Sequence, residues 1–126
     1  MTTTGEALRG IVLLAHGSRD ARWREPIEAV AAQMLRHDPA ARVTCAYMEL
    51  ATPNLRTAAG TLIDGGASAI RVVPLFLGMG KHTREDLPQQ LETLRQAWPE
   101  IDFALAPIVG EAPELVELLA RIAAKP

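Results

Sequence analysis

Three side chains in this sequence are of the right type to work together: His16, Glu49 and His82. Each follows an apolar run, in Ile11–Ala15, Arg42–Met48 and Ala69–Leu77 respectively. Neutral imidazoles bind borderline divalent metals such as iron, cobalt, nickel and zinc. They also titrate near neutrality and can take protons there. Glu49 reads as a general base or a partner to a histidine. It reads equally as an acid leading into the next helix, where the helix dipole favours it. One histidine in a turn is commonly a surface residue or a hydrogen-bonder. Two histidines and a carboxylate after three successive strands belong together more strongly, because one architecture can collect them. His37, before Asp38-Pro39 at a helix end, meets the dipole there and is assigned no chemistry.

Basic residues gather in the same loops: Arg19, Arg22 and Arg24 after the first apolar run, Lys81 and Arg84 after the third. On a chain with formal net charge −2 this gives a locally positive rim suited to a polycarboxylate or phosphate. For Arg22 and Arg24 a solvated helix face is preferred. Gly78 and Gly80 let backbone approach a ligand or move as a flap, or simply satisfy a turn. Several phosphate and nucleophile motifs fail. Gly80-Lys81 lacks the phosphate-loop spacing, since Leu75 stands where the first glycine belongs and His82 replaces the hydroxyl residue. The first turn, HGSRD, carries no dinucleotide fingerprint, and there is no Gly-x-Ser-x-Gly elbow. Ala15 stands where a phosphohistidine phosphatase would have arginine, so phosphate chemistry at His16 is poorly supported.

The elements that must position these residues are legible from periodicity. Ile11–Ala15 is a short apolar strand running into the turn at His16-Gly17-Ser18. Trp23, Ile27, Val30 and Met34 recur at helical spacing, one stripe aimed at a sheet, with Pro26 confined to the first turn. Arg42–Met48 is the second strand, and Cys45 within it reads as a small buried hydrophobe. Thr52-Pro53 reads as cap and first position of a helix whose stripe is Leu55, Ala59 and Leu62, closed by Gly65-Gly66. Ala69–Leu77, rich in Ile, Val and Phe, reads as a central strand buried on both faces. Thr83-Arg84-Glu85-Asp86 reads as a capping box opening a helix with Leu87, Leu91, Leu94 and Trp98 inward. Ile101–Ala106 is a fourth strand, and Leu115, Leu118, Leu119 and Ile122 form the stripe of a last helix.

Four strands alternating with four helices give an α/β fold, a doubly wound, four-stranded parallel sheet flanked by helices. In such a sheet ligands bind outside the carboxyl ends of the strands, the rim that holds His16, Glu49 and His82.

At 126 residues the chain is expected to be one domain, residues 1–126, with a loose segment over 1–10. Its charge balance gives no pull toward nucleic acid or an anionic membrane. One cysteine allows no intrachain disulfide and no cysteine-based zinc site, which suits a reduced cytoplasmic setting. Met1–Gly10 has no apolar core of a signal peptide, and no apolar stretch nears the about 20 residues of a membrane span.

Three segments carry a family resemblance: Leu14-Ala15-His16-Gly17-Ser18-Arg19; Tyr47-Met48-Glu49-Leu50-Ala51-Thr52-Pro53; and Val73–Leu77 followed by Lys81–Pro88. In order and spacing they resemble the short CbiX-type sirohydrochlorin chelatases, class II chelatases related to the siroheme ferrochelatase SirB. The resemblance covers almost the whole chain from Ile11 and implies a chelatase-like domain, half of a two-domain class II chelatase. It implies a lyase that inserts a divalent metal, Co2+ first and Fe2+ next with Ni2+ also open, into sirohydrochlorin without a nucleotide. His16 and His82 fall on the family's metal-binding catalytic histidines, and Glu49 on an acidic position of related chelatases. A homodimer completing the cleft is implied too. This chain has no histidine-rich tail after His82.

On that resemblance Arg19, Lys81 and Arg84 are candidates for the substrate's carboxylates, and Met48, Leu77 and Met79 for its apolar face. A protein that binds or transfers a metal or metallotetrapyrrole without catalysis is the alternative; turnover separates the two. A flavodoxin-like regulatory or phosphoryl-transfer domain would want an acidic cluster or phosphate loop after the first strand, and HGSRD supplies neither.

Overall fold

A computed structural model describes residues 8–126. Four strands, β1 (Arg9–Ala15), β2 (Arg42–Tyr47), β3 (Ala69–Pro74) and β4 (Asp102–Leu105), form one parallel sheet in the order β2-β1-β3-β4. The helices α1 (Glu25–His37), α2 (Leu55–Asp64), α3 (Lys81–Ala97) and α4 (Pro113–Ala123) alternate with them. Short single-turn helices at Ala21–Arg24 and Val109–Glu111 precede α1 and α4. The α/β parallel architecture expected from the alternation is what forms. Of the segment expected to be loose, residues 1–7 lie outside the described part, and Arg9 and Gly10 already belong to β1, paired with Ala69 and Ile70 of β3.

Alternation along the strands sorts side chains between two faces. Val12 and Leu14, Ala46, Ile70, Val72 and Phe103 join Leu55, Ala58, Ala59 and Leu62 of α2 and Leu87, Leu91 and Leu94 of α3 in one buried cluster. Here the expected stripes are correct. Trp98 closes the lower end, half-buried beside Phe103 and beneath the Arg56 guanidinium, which lies 5.4 Å from its ring centroid.

The opposite face differs from expectation. α1 lies there, with the Cys45 thiol donating to the Ile27 carbonyl at 3.8 Å, but it buries no residue. Its sheet-facing row is Ile27, Ala31 and Met34, all half-buried, whereas Trp23 is 70% and Val30 40% exposed. Trp23 misses the stripe because it sits in the single-turn helix before α1. Cys45 is half-buried rather than enclosed. β3 is buried on one face only, since Arg71 is exposed and Val73 half-buried. α4 packs on the turn before it and also buries nothing.

Two helix starts are displaced from the expected caps. α2 begins after Asn54, whose side chain accepts the Thr57 N–H at 2.9 Å, not at Thr52-Pro53. α3 begins after Gly80, whose extended backbone (φ −72°, ψ 171°) lets its carbonyl accept the Arg84 N–H, so Thr83 lies inside the first turn. β3 likewise ends at Pro74, which leaves Leu75, Phe76 and Leu77 to the loop.

Candidate active site

The connections leaving β1 and β3 run to opposite faces of the sheet, so the crevice between their carboxyl ends is the topological switch point. His16 stands there, one residue beyond β1. The register explains what it meets: Leu14 pairs with Pro74, and two residues further on His16 comes opposite Phe76. Their rings stack, with centroids 4.1 Å apart and planes 16° from parallel. Phe76 is 2% exposed, while the imidazole is open to solvent.

Glu49 follows β2, on the other side of His16 from β3. The ladder runs past the strand ends, with the Met48 N–H donating to the Ala15 carbonyl at 2.9 Å and the Glu49 N–H to the His16 carbonyl at 3.0 Å. Gly17 is required between them. Its φ of +100° is left-handed, and a Cβ there would run into the Glu49 carbonyl oxygen. Glu49 is exposed, and Leu50 after it takes φ +62°, a strained value for leucine.

His82 comes from the third crossover, in the first turn of α3. It is exposed and lines an open groove of about 360 Å³ with Thr83, Glu85, Asp86 and Gln89. Lys81, His82 and Arg84 crowd a helix start with no acid in its first turn. The helix dipole disfavours cations at that end, and Glu85 and Asp86 follow them in the next turn. Adjacent strands β2, β1 and β3 thus bring Glu49, His16 and His82 to one rim. Among the described residues, no three His, Cys, Asp or Glu side chains are grouped closely enough to hold a metal ion.

A second depression lies beside this rim. Met79 and Arg84 line a cleft of about 340 Å³ with Pro74, Leu87, Leu105 and Ile108. Arg84 donates to the Met79 carbonyl at 3.1 Å, which holds the guanidinium at the cleft. Of the other candidates, Met48 is half-buried, Leu77 is 69% exposed, and Arg19 and Lys81 are exposed. Arg22, by contrast, is engaged with Asp20, Nη2 to Oδ2 at 3.0 Å, and that contact holds the Asp20 carboxyl below its usual range. The solvated reading of Arg22 is the right one. The reading from sequence missed Phe76, taken as a strand residue, and the β4 end with Leu105 and Ile108. Both were open to discovery: the fourth strand ends on the same rim, and the pairing of strands one and three fixes what faces His16.

Known proteins are similar to this chain in sequence and in overall fold. Over 117 residues the chain is 33% identical to the sirohydrochlorin cobaltochelatase of Sulfolobus acidocaldarius, covering 92% of this chain and 90% of that one. A cobalamin (vitamin B12) biosynthesis CbiX protein from Marinobacter aquaeolei VT8 superposes with a TM-score of 0.80 at 36% identity, covering 91% and 93% of the two chains. The sirohydrochlorin chelatase SirB of Bacillus subtilis, solved with cobalt, superposes at 0.76 with 25% identity; the match takes in 90% of this chain but 48% of SirB. The CbiX family model matches residues 10–125, from the first strand to beyond the last helix, and the chain belongs to the CbiX family.

Proposed function

We infer that this chain is a metal chelatase that places a divalent ion, Co2+ foremost and Fe2+ next, into the free-base tetrapyrrole sirohydrochlorin. The observation that carries the reading is the imidazole of His16 fixed at the switch-point crevice, with Glu49 tied beside it, in a chain matched along its length by sirohydrochlorin cobaltochelatase. The reaction joins the ion to the four ring nitrogens and releases two pyrrole protons. It neither oxidises nor reduces and needs no nucleotide. His16 and His82 hold the incoming ion on one side of the ring as its waters leave. Glu49, or a histidine once its metal has gone, accepts the protons.

The macrocycle lies against Met48, Leu77 and Met79. The exposure of Leu77 supports this, because a flat apolar ligand would cover it. Arg19, Lys81 and Arg84 meet the substrate's carboxylates, in keeping with the crowding of cations at the α3 start. The reaction belongs to the cytoplasm, a setting that suits a chain with one cysteine. Among the described residues no helix is long and apolar enough to cross a membrane.

We read the working form as a homodimer. Val116, Leu118, Leu119 and Ile122 of α4 are exposed, and β3 is open on the face away from α2 and α3. The match to about half of SirB supports a second copy standing where SirB has its other half.

The test is to mix purified protein, free-base sirohydrochlorin and one of Co2+, Fe2+ or Ni2+, then follow the visible spectrum. Many turnovers with Co2+ or Fe2+ are expected. Binding without turnover would make the chain a carrier instead.

A further inference from the structure

We propose that Phe76 is a positioning residue for metal capture. Its ring is a fixed platform that sets the plane of the His16 imidazole before the ion arrives. This rests on the reading of His16 as a ligand.

The platform is rigid because its backbone is held on both sides. The Leu75 N–H donates to the Leu14 carbonyl at 2.8 Å, just before Phe76. The Phe76 carbonyl accepts the Gly110 N–H at 3.0 Å. Gly110 has no room for a side chain, since a Cβ there would collide with the Leu77 backbone. The loop after β3 is therefore clamped between β1 and the single-turn helix after β4. The Phe76 side chain joins the buried cluster shared with α2 and α3. A platform on those supports cannot swing away.

His16 has no such support of its own. It is exposed, and no hydrogen bond to its ring is found among the described residues. Left alone, the imidazole would sample several rotamers and lose that freedom on binding an ion. Stacking at 4.1 Å and 16° restricts the ring to a plane nearly parallel to Phe76. The lone pairs of imidazole nitrogens lie in the ring plane, so fixing the plane fixes the directions along which a metal can bind. Metal-binding histidines are commonly oriented by a hydrogen bond from the second ring nitrogen to a carboxylate or carbonyl. Here the flat face of a phenyl ring does that work. A coordinated imidazole is also electron-poor, and the negative face of a phenyl ring attracts it more strongly than the free base. The platform therefore favours the loaded state.

The experiment compares the wild type with Phe76→Leu, Phe76→Tyr and His16→Ala. It reads the imidazole proton resonances by NMR, Co2+ affinity without tetrapyrrole, and steady-state insertion kinetics. With three histidines in the chain, loss of one signal set in His16→Ala assigns the resonance. In the wild type that resonance should be shifted upfield by the phenyl ring current. Phe76→Leu should abolish the shift, weaken Co2+ binding about 10-fold and lower kcat with the tetrapyrrole KM unchanged. Phe76→Tyr, which keeps the ring, should restore both.

An unshifted His16 resonance in the wild type overturns the proposal without any variant, so it stays falsifiable even if Phe76→Leu does not fold. Wild-type Co2+ affinity in folded Phe76→Leu overturns it as well. Equal losses in Phe76→Leu and Phe76→Tyr, tracking a lower melting temperature, reduce Phe76 to a core residue. If His16→Ala binds Co2+ as the wild type does, the reading of His16 as ligand has failed, a result distinct from failure of the platform alone.

Discussion

The two faces of the sheet carry helices of similar amphipathic pattern and treat them differently. On one face α2 and α3 bury Leu55, Ala58, Ala59 and Leu62, and Leu87, Leu91 and Leu94. On the other, α1 buries no residue at all, and α4, which packs on the turn before it, buries none either. Val30 and Leu35 of α1 and Val116, Leu118, Leu119 and Ile122 of α4 remain in the open, as do Arg71 of β3 and Ala104 of β4. The first face is the core that holds the chain together. It also carries the stack, since Phe76 and His16 extend the inward rows of β3 and β1. The second face is only partly covered by this chain. The core and the His16–Phe76 stack thus share one side of the sheet.

That contrast can be broken by substitution. The largest effect is expected on the closed face. Leu91→Ala should lower unfolding free energy by about 2–5 kcal/mol, measured by urea denaturation, because a fully buried leucine leaves a cavity. A loss below about 1 kcal/mol would mean that the cluster is loosely packed.

On exposed α4 the expectation reverses. Leu118→Asp, at a position 43% exposed, should leave the folding of a single copy within about 0.5 kcal/mol. The same change should turn a dimer into a monomer in sedimentation velocity. If association is unchanged by this variant and by Ile122→Asp, α4 is not where copies meet.

The smallest effect is a pH dependence under α1. Burial, and then Glu28, push the Cys45 thiol above its ordinary pKa; burial foremost does the same to the Tyr47 phenol. Folded protein therefore keeps protons that the unfolded chain releases, and stability falls as pH rises through the ordinary thiol and phenol ranges. Urea midpoints should be flat near neutrality and decline at alkaline pH. Tyr47→Phe should soften the decline; it also removes a buried hydroxyl that has no partner among the described residues.

The contrast also marks how far the sequence could be read. Apolar spacing located all the strands and helices, because periodicity reports that an element has an apolar side. It does not report what covers that side. Val30 and Leu118 carry the same signal as Leu91, yet only Leu91 is enclosed by this chain. Helix starts failed for a local reason. Thr83 and Thr52 have cap-like side chains, but the extended backbone at Gly80 and the Asn54 side chain did the capping. At the site, His16 and Glu49 were legible as residues just past strand ends, and His82 as a residue of the connection after β3. Phe76 takes its meaning from register across strands 60 positions apart in the chain, which apolar spacing alone does not give.

The measurement that bears most directly on the account is the initial rate of Co2+ insertion into sirohydrochlorin by His16→Ala and His82→Ala, beside circular dichroism of each variant. The account predicts rates at the uncatalysed background for both, with spectra matching the wild type. Wild-type rates in either folded variant would contradict it.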